Sequence, residues 1–216
     1  MTLRLLVKKL YLNKNKFILA SELKNYCKML NLDYYITIGY LLSNNYLIRL
    51  LRGIFYIKSI EERKLKKVNI NYMEAIAESL ELKGVKNWYF GLETAVKLNN
   101  LTHEYFTTDY IINDTLFRAK TIEILGHKIK FIKLKKSLFG FGIIKKNKIN
   151  FSENEKTFLD FIYLYKYKGI SNKDIKNLIS GLAKYCSKNK VIKYSKEYNK
   201  TIKGFVRGIY DQKRAY

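Results

Sequence analysis

Residues 46–57 constrain the fold of this chain more than any other stretch. Tyr46-Leu47-Ile48-Arg49-Leu50 and Ile54-Phe55-Tyr56-Ile57 are rich in β-formers, and Leu51-Arg52-Gly53 between them offers a glycine where a tight turn needs positive φ. That is the signature of a β-hairpin. The residues before it follow a helical period instead. Leu3, Leu6, Val7 and Leu10 recur on one face over residues 2–12, with Thr2 in the N-cap position. Asn13 to Lys16 reads as a turn and Phe17-Ile18-Leu19 as a short strand. Ser21 is placed to cap a second helix with Leu23, Tyr26, Cys27 and Leu30 on its inner side. Asn31-Leu32-Asp33 closes that helix and opens a third, with Tyr34, Ile38, Leu41 and Leu42 at core spacing up to Ser43-Asn44-Asn45. Three short helices and a hairpin within about 60 residues predict a winged helix-turn-helix, its third helix in a DNA major groove and its hairpin as a flanking wing.

The rest of the chain divides less sharply. Residues 61–86 read as a charged, helix-prone connection, polar at Glu61-Glu62-Arg63-Lys64 and helical where Met73, Ile76, Ala77 and Leu80 share a face. Trp88 to Gly91 predicts a buried strand, Leu92 to Leu98 a short helix, and Tyr105 to Thr108 and Thr121 to Ile124 two further strands. After the Gly126-His127 turn, Lys128 to Phe131 and Ile132 to Lys135 alternate in opposite phase, which predicts a bulge or a lysine-protected edge strand. Ile143-Ile144 and Ile149-Asn150-Phe151 are strand-like. Then Ser152-Glu153-Asn154-Glu155 has the form of a capping box, and the period turns helical, with a further start at Ser171 and helix reading on to Tyr216. The expected class is α+β. A winged helix-turn-helix domain over 1–60 and the connection over 61–86 precede a domain over 87–216, with a sheet in 87–151 and helices in 152–216.

Charge narrows the partner. The 216 residues carry 42 Lys+Arg against 18 Asp+Glu, a formal net charge of +24. Residues 1–60 hold 10 basic and 2 acidic side chains, residues 61–165 hold 18 and 13, and residues 166–216 hold 14 and 3. A coding bias toward lysine would spread the excess evenly. Concentration at the two ends predicts contact with a polyanion. On the third helix, Tyr35, Thr37, Tyr40 and Ser43 are expected to face outward, toward base edges and phosphates. Arg49 and Arg52, two of seven arginines in a lysine-dominated chain, put forked, planar donors in the hairpin. Lys184, Lys188, Lys190, Lys193, Lys196, Lys200, Lys203 and Arg207 recur at spacings that can line a helical face and follow phosphates or face water.

Other classes find little support. The apolar runs are short, so no membrane span is expected, and the N-terminus lacks the features of a signal peptide. Cys27 and Cys186 lie too far apart for a disulfide framework or a zinc motif. His103 and His127 have no carboxylates at metal-ligand spacing, and Gly140-Phe141-Gly142 lacks the third glycine of a dinucleotide loop. No metal, no cofactor and no enzymatic activity are expected. Asp109, Asp114, Glu123 and Glu153 would reopen a nuclease reading if the fold gathered them around a metal.

Several segments resemble, in order, the AbiEi-type antitoxins, also called predicted transcriptional regulators of viral defence systems. The hairpin Leu47 to Tyr56 resembles their arginine-glycine wing. Trp88 to Ala95, Tyr105 to Thr108 and Gly126 to Phe131 resemble their following segments, and Ser152 to Asp160 their Glu-[Arg/Lys]-Thr-hydrophobic-Leu-Asp helix start. The resemblance spans about residues 35–165. It implies a cytoplasmic repressor that binds inverted repeats in its own promoter, as a dimer or cooperative assembly. It also implies an antitoxin of a type IV toxin-antitoxin system that counteracts a nucleotidyltransferase-type toxin. Within that motif Ser152, Glu155 and Asp160 are expected to be structural, serving as helix caps and an internal hydrogen bond or ion pair. The alternatives are a module for structured RNA and a stand-alone winged-helix regulator.

Overall fold

The computed structural model describes residues 2–211; the stretch 212–216 of the expected C-terminal helix lies outside the described residues. The chain is α+β and divides into two compact units, Met1–Gly84 and Val85–Tyr216.

In the first unit, α1 (Thr2–Leu12), β1 (Phe17–Leu19), α2 (Ala20–Met29) and α3 (Tyr34–Ser43) lead into β2 (Leu47–Leu51) and β3 (Ile54–Ile57). The strands form an antiparallel sheet in the order β1-β3-β2. This is the layout of a winged helix. Leu6 and Leu10 of α1, Leu23 and Cys27 of α2, and Ile38 and Leu41 of α3 close one core with Ile18, Leu47, Phe55 and Ile57. Each helix shows the same face it shows in the sequence pattern. The caps differ in detail. Ser21 lies inside the first turn of α2; the cap residue is Leu19, whose backbone N–H donates to the Glu22 carboxylate at 2.9 Å. Asp33 caps α3, its Oδ1 accepting from the Ile36 N–H at 2.8 Å.

The hairpin turn is shorter than expected. Arg49 pairs with Phe55 and Leu51 with Ile54, so Leu50 is an extra, bulged residue and only Arg52-Gly53 make the turn. Gly53, the second residue of the turn, has φ +82°, a left-handed value that glycine adopts freely.

Residues 61–84 are not a free connection but part of this unit. In α4 (Ile60–Lys64), Glu62 is 1% exposed and accepts from the Tyr56 hydroxyl, the Ser59 N–H and the Asn69 N–H. A buried phenol needs an acceptor, and this carboxylate answers it. The last helix of the unit, α5 (Tyr72–Leu82), packs on β2, and Lys83 just beyond it donates to the Arg52 carbonyl at 2.9 Å.

The second unit is built on a mixed sheet of β4 (Trp88–Gly91), β5 (Thr108–Asn113), β6 (Ile122–Ile124), β7 (His127–Lys133), β8 (Ile143–Lys146) and β9 (Ile149–Ser152), in the order β6-β7-β5-β4-β9-β8. Pairs β5/β7 and β4/β9 are parallel, the others antiparallel. Against one face lie α6 (Leu92–Leu98), α7 (Asn154–Tyr167), α8 (Asn172–Ala183), α9 (Lys188–Ser195) and α10 (Lys200–Asp211), around Tyr89, Ile112 and Leu134.

Two strand expectations are corrected. Tyr105 is 88% exposed and lies outside any strand; β5 starts at Thr108 and draws its burial from Ile111 and Ile112. β7 carries neither bulge nor edge, since it runs in continuous register beside β5 and pairs with β6 on its other side. Its change of phase reflects two buried faces, with Ile129 and Phe131 on one and Ile132 and Leu134 on the other.

Candidate nucleic-acid interface

α3 carries the sequence Tyr-Tyr-Ile-Thr-Ile-Gly-Tyr-Leu-Leu-Ser, without a charged residue. Ile38 and Leu41 turn inward, so at about 100° per residue the opposite face belongs to Tyr35, Ile36, Gly39, Tyr40 and Ser43. Tyr35 is 75% and Ile36 76% exposed. Tyr40 is held part-covered by stacking on Tyr46, with ring centroids 6.1 Å apart. Thr37, expected outward, is buried at 4% exposure, beside Cys27 of α2. Its hydroxyl suggested an outward role, but its angle around the helix decides the matter. Ser43 is exposed, though its hydroxyl donates to the Tyr40 carbonyl. Ile36 and Gly39 were missed because neither carries a polar group; the helical period alone would have placed both outward.

Arg49 and Arg52 are both exposed. The Arg49 guanidinium lies 5.7 Å from the Phe55 ring centroid, on the strand that packs beside α3. Burial raises the Tyr34 hydroxyl above its ordinary pKa, and the positive charge of Arg49 pulls against that rise. Wing and helix are therefore electrostatic neighbours. Lys24 of α2 adds a cation 5.1 Å from the Tyr34 ring. Glu22 and Asp33, the only carboxylates in residues 1–60, are both bound to backbone N–H groups at helix N-termini.

The C-terminal cations do not form one stripe. Breaks after Ala183 and Ser195 divide the expected continuous helix into α8, α9 and α10, so the spacing of its lysines spans three separate axes. Lys184, Lys188, Lys193, Lys200 and Arg207 are all exposed; Lys188 lies 5.5 Å from the Tyr210 ring, and the exposed Lys190 pairs with Glu153 at 3.1 Å.

The Ser152 to Asp160 segment is the interior hub of the second unit. Ser152 ends β9 instead of capping α7, and its hydroxyl meets that of Thr157 at 2.7 Å. Glu155 does not reach back to it. Its carboxylate accepts the Ser187 N–H at 2.9 Å, at the start of α9. A distant helix-start N–H won over the local box. Asp160, wholly buried, accepts from the Tyr89 hydroxyl at 2.7 Å and the Tyr198 hydroxyl at 2.6 Å, and pairs with Lys156 at 3.4 Å. Lys156 is equally buried, its Nζ 4.6 Å from the Phe141 ring and 4.9 Å from the Tyr89 ring. Burial lowers the Lys156 pKa against the pull of Asp160. Burial, then the Asp160 charge, drive the Tyr89 and Tyr198 hydroxyls well above theirs. Lys156 was missed; its i,i+4 spacing to Asp160 was the available signal.

Four acids considered for a metal go separate ways. Asp109 accepts from Thr94, Asp114 from Asn87 and Thr115, and Glu153 pairs with Lys190, while Glu123 stands on β6. Among the described residues no group of three or more His, Cys, Asp and Glu is placed to hold a metal, both cysteines are free, and no helix is long and apolar enough to cross a membrane.

No protein-family model matches the sequence, and no curated protein matches it. Among solved structures, the fold is similar to that of the RV2827C protein from Mycobacterium tuberculosis, with a TM-score of 0.59 and 9% identity over 97% of this chain and 76% of that one. At that identity, the two share a fold.

Proposed function

We propose that the chain is a duplex-DNA-binding regulator, with α3 entering the major groove and Arg49 and Arg52 reaching the adjoining backbone or minor groove. One observation carries the reading. The uncharged outer face of α3 stands beside an arginine-bearing hairpin, in a segment whose only two carboxylates are engaged as caps. A neutral face flanked by cations suits a groove floor between two phosphate strands. The resemblance to AbiEi-type antitoxins extends the proposal to a cytoplasmic repressor of its own operon, acting on inverted repeats as a dimer or cooperative assembly. The second unit then counteracts a nucleotidyltransferase-type toxin without chemistry of its own. In that unit Lys156, Asp160, Tyr89 and Tyr198 are buried and engage one another.

The test is a binding titration of the full chain against duplex DNA from upstream of its own reading frame, with structured RNA as competitor. Preference for the duplex is expected. Equal or tighter binding to the RNA, or no duplex binding at low salt, overturns the proposal. Growth rescue on co-expression with the neighbouring reading frame tests the antitoxin half.

A further inference from the structure

Resting on that reading, we infer that α3 selects its site by packing against thymine methyl groups, so that the operator is read as A·T pairs at the centre of each contacted segment. The argument begins with what the helix lacks. Guanine is read in the major groove by Arg or Lys, adenine by the amides of Asn or Gln, and cytosine by carboxylates. None of these side chains occurs on α3. Asn44, just past its end, turns its amide back onto the Tyr40 carbonyl at 3.0 Å and the Ser43 hydroxyl at 3.3 Å. Asp33, just before its start, is held by the Ile36 N–H. The outer face therefore offers an exposed Ile36, the rings of Tyr35 and Tyr40, and the bare backbone of Gly39, with the Ser43 hydroxyl at its end donating back to the Tyr40 carbonyl. The one base feature in the major groove with an apolar complement is the C5-methyl of thymine.

Gly39 fits the same reading. Glycine inside a helix weakens it, so it calls for a local reason. Packing gives none here, because a Cβ at this position would meet nothing within 4 Å. The space in front of Gly39 is open, at the middle of the outer face. A helix that must lie close on base edges gains from having no side chain there.

The experiment selects preferred sites from a pool of duplexes with a randomised centre, using the full chain, and then replaces each thymine in the selected site by deoxyuridine. That change removes a methyl group and leaves every hydrogen-bonding group in place. Selected sites are expected to be A·T at the protected centre, and each contacted methyl removed weakens binding by about fourfold. In Ile36→Ala, whose side chain is exposed, the uracil penalty shrinks toward one while the fold is retained by circular dichroism. Gly39→Ala raises thermal stability yet weakens the complex. Tight duplex binding with a G·C-centred site, or without any uracil penalty, overturns this inference and leaves the duplex reading intact. Absence of duplex binding at low salt overturns both. If Ile36→Ala instead changes the sedimentation of the free protein, the face is a contact between copies of the chain and the inference falls.

Discussion

The Arg63 guanidinium carbon lies 3.5 Å from the centroid of the Tyr46 ring, and Tyr46 in turn stacks on Tyr40 of α3. The same guanidinium donates to the Tyr11 hydroxyl at 2.8 Å and to the Asn44 carbonyl at 3.4 Å. One side chain of α4 thus ties together α1, the end of α3 and the ring that orients Tyr40. An ammonium cannot make the planar contact and the forked donation together. Arg63→Ala is expected to destabilise the chain by about 1–3 kcal/mol, and Arg63→Lys to recover little of it. Urea denaturation of both variants measures the difference; full recovery by lysine would show that only the charge matters.

On the proposed interface, Arg49 and Arg52 are distinguished from Thr37 by their exposure. Each arginine removed is expected to weaken operator binding by about 1–3 kcal/mol. If its contact is to a phosphate, it also lowers the slope of log K against log salt by about 1. Thr37→Val removes a buried hydroxyl and is expected to cost about 0.5–1.5 kcal/mol of stability, with affinity unchanged once the protein is folded. Titrations at several salt concentrations separate the cases. A threonine variant that lost affinity at full folding would return that residue to the interface.

What was legible in the sequence was mostly local. Gly53 between two β-rich runs specified the hairpin, and Asp33 before an apolar period specified the start of α3, because turn and cap chemistry act within a few residues. Thr37 was misplaced when side-chain chemistry was weighed ahead of the helical angle. Glu155 shows a further limit. Its box with Ser152 is locally sound, but the Ser187 N–H at the start of α9, remote in sequence, is a helix-start donor with no partner within its own helix, and the carboxylate meets it instead. Lys156 could not be placed from neighbours alone, since its burial depends on Tyr89, Phe141 and Tyr198 meeting around it. The breaks that separate α8, α9 and α10 likewise follow tertiary packing around Val191 and Ile202.

The Lys156–Asp160 pair should be sensitive to one-sided change. Lys156→Met leaves a buried carboxylate with two phenol donors but no cation, and Asp160→Leu leaves a buried ammonium among aromatic rings. Each single variant is expected to lose about 3–5 kcal/mol, and the double variant less than the sum. Denaturant midpoints for the cycle measure the coupling. Strict additivity would show that the two groups do not act as a pair.

Acid acts on Glu62. Burial alone would raise its pKa, but the Asn69 and Ser59 N–H groups and the Tyr56 hydroxyl hold it below the usual carboxylate range. A carboxyl depressed in the fold stabilises above its unfolded value, and that contribution is lost as pH falls through the folded value. Glu62→Gln is therefore expected to flatten the acid limb of the stability profile. An unchanged limb would assign acid sensitivity to other carboxylates.

Alkali acts on the second unit through Tyr89 and Tyr198. Both hydroxyls have pKa values well above the ordinary 10.0, from burial first and then from the Asp160 charge. Above pH 10 the unfolded chain releases these protons and the folded chain keeps them, so stability falls with rising pH. Lys156 works in the opposite sense. Its lowered pKa makes the unfolded state bind more protons between the folded value and 10.5, so its own contribution rises with pH in that window. Two phenols against one ammonium leave a net loss at the alkaline end. Tyrosinate absorbance followed together with circular dichroism should show a late ionisation step coincident with unfolding, smaller by two tyrosines in Tyr89→Phe/Tyr198→Phe, where the raised Tyr56 hydroxyl of the first unit remains. Ionisation of both tyrosines at their ordinary pH in the folded protein would mean that the Asp160 cluster is open to water.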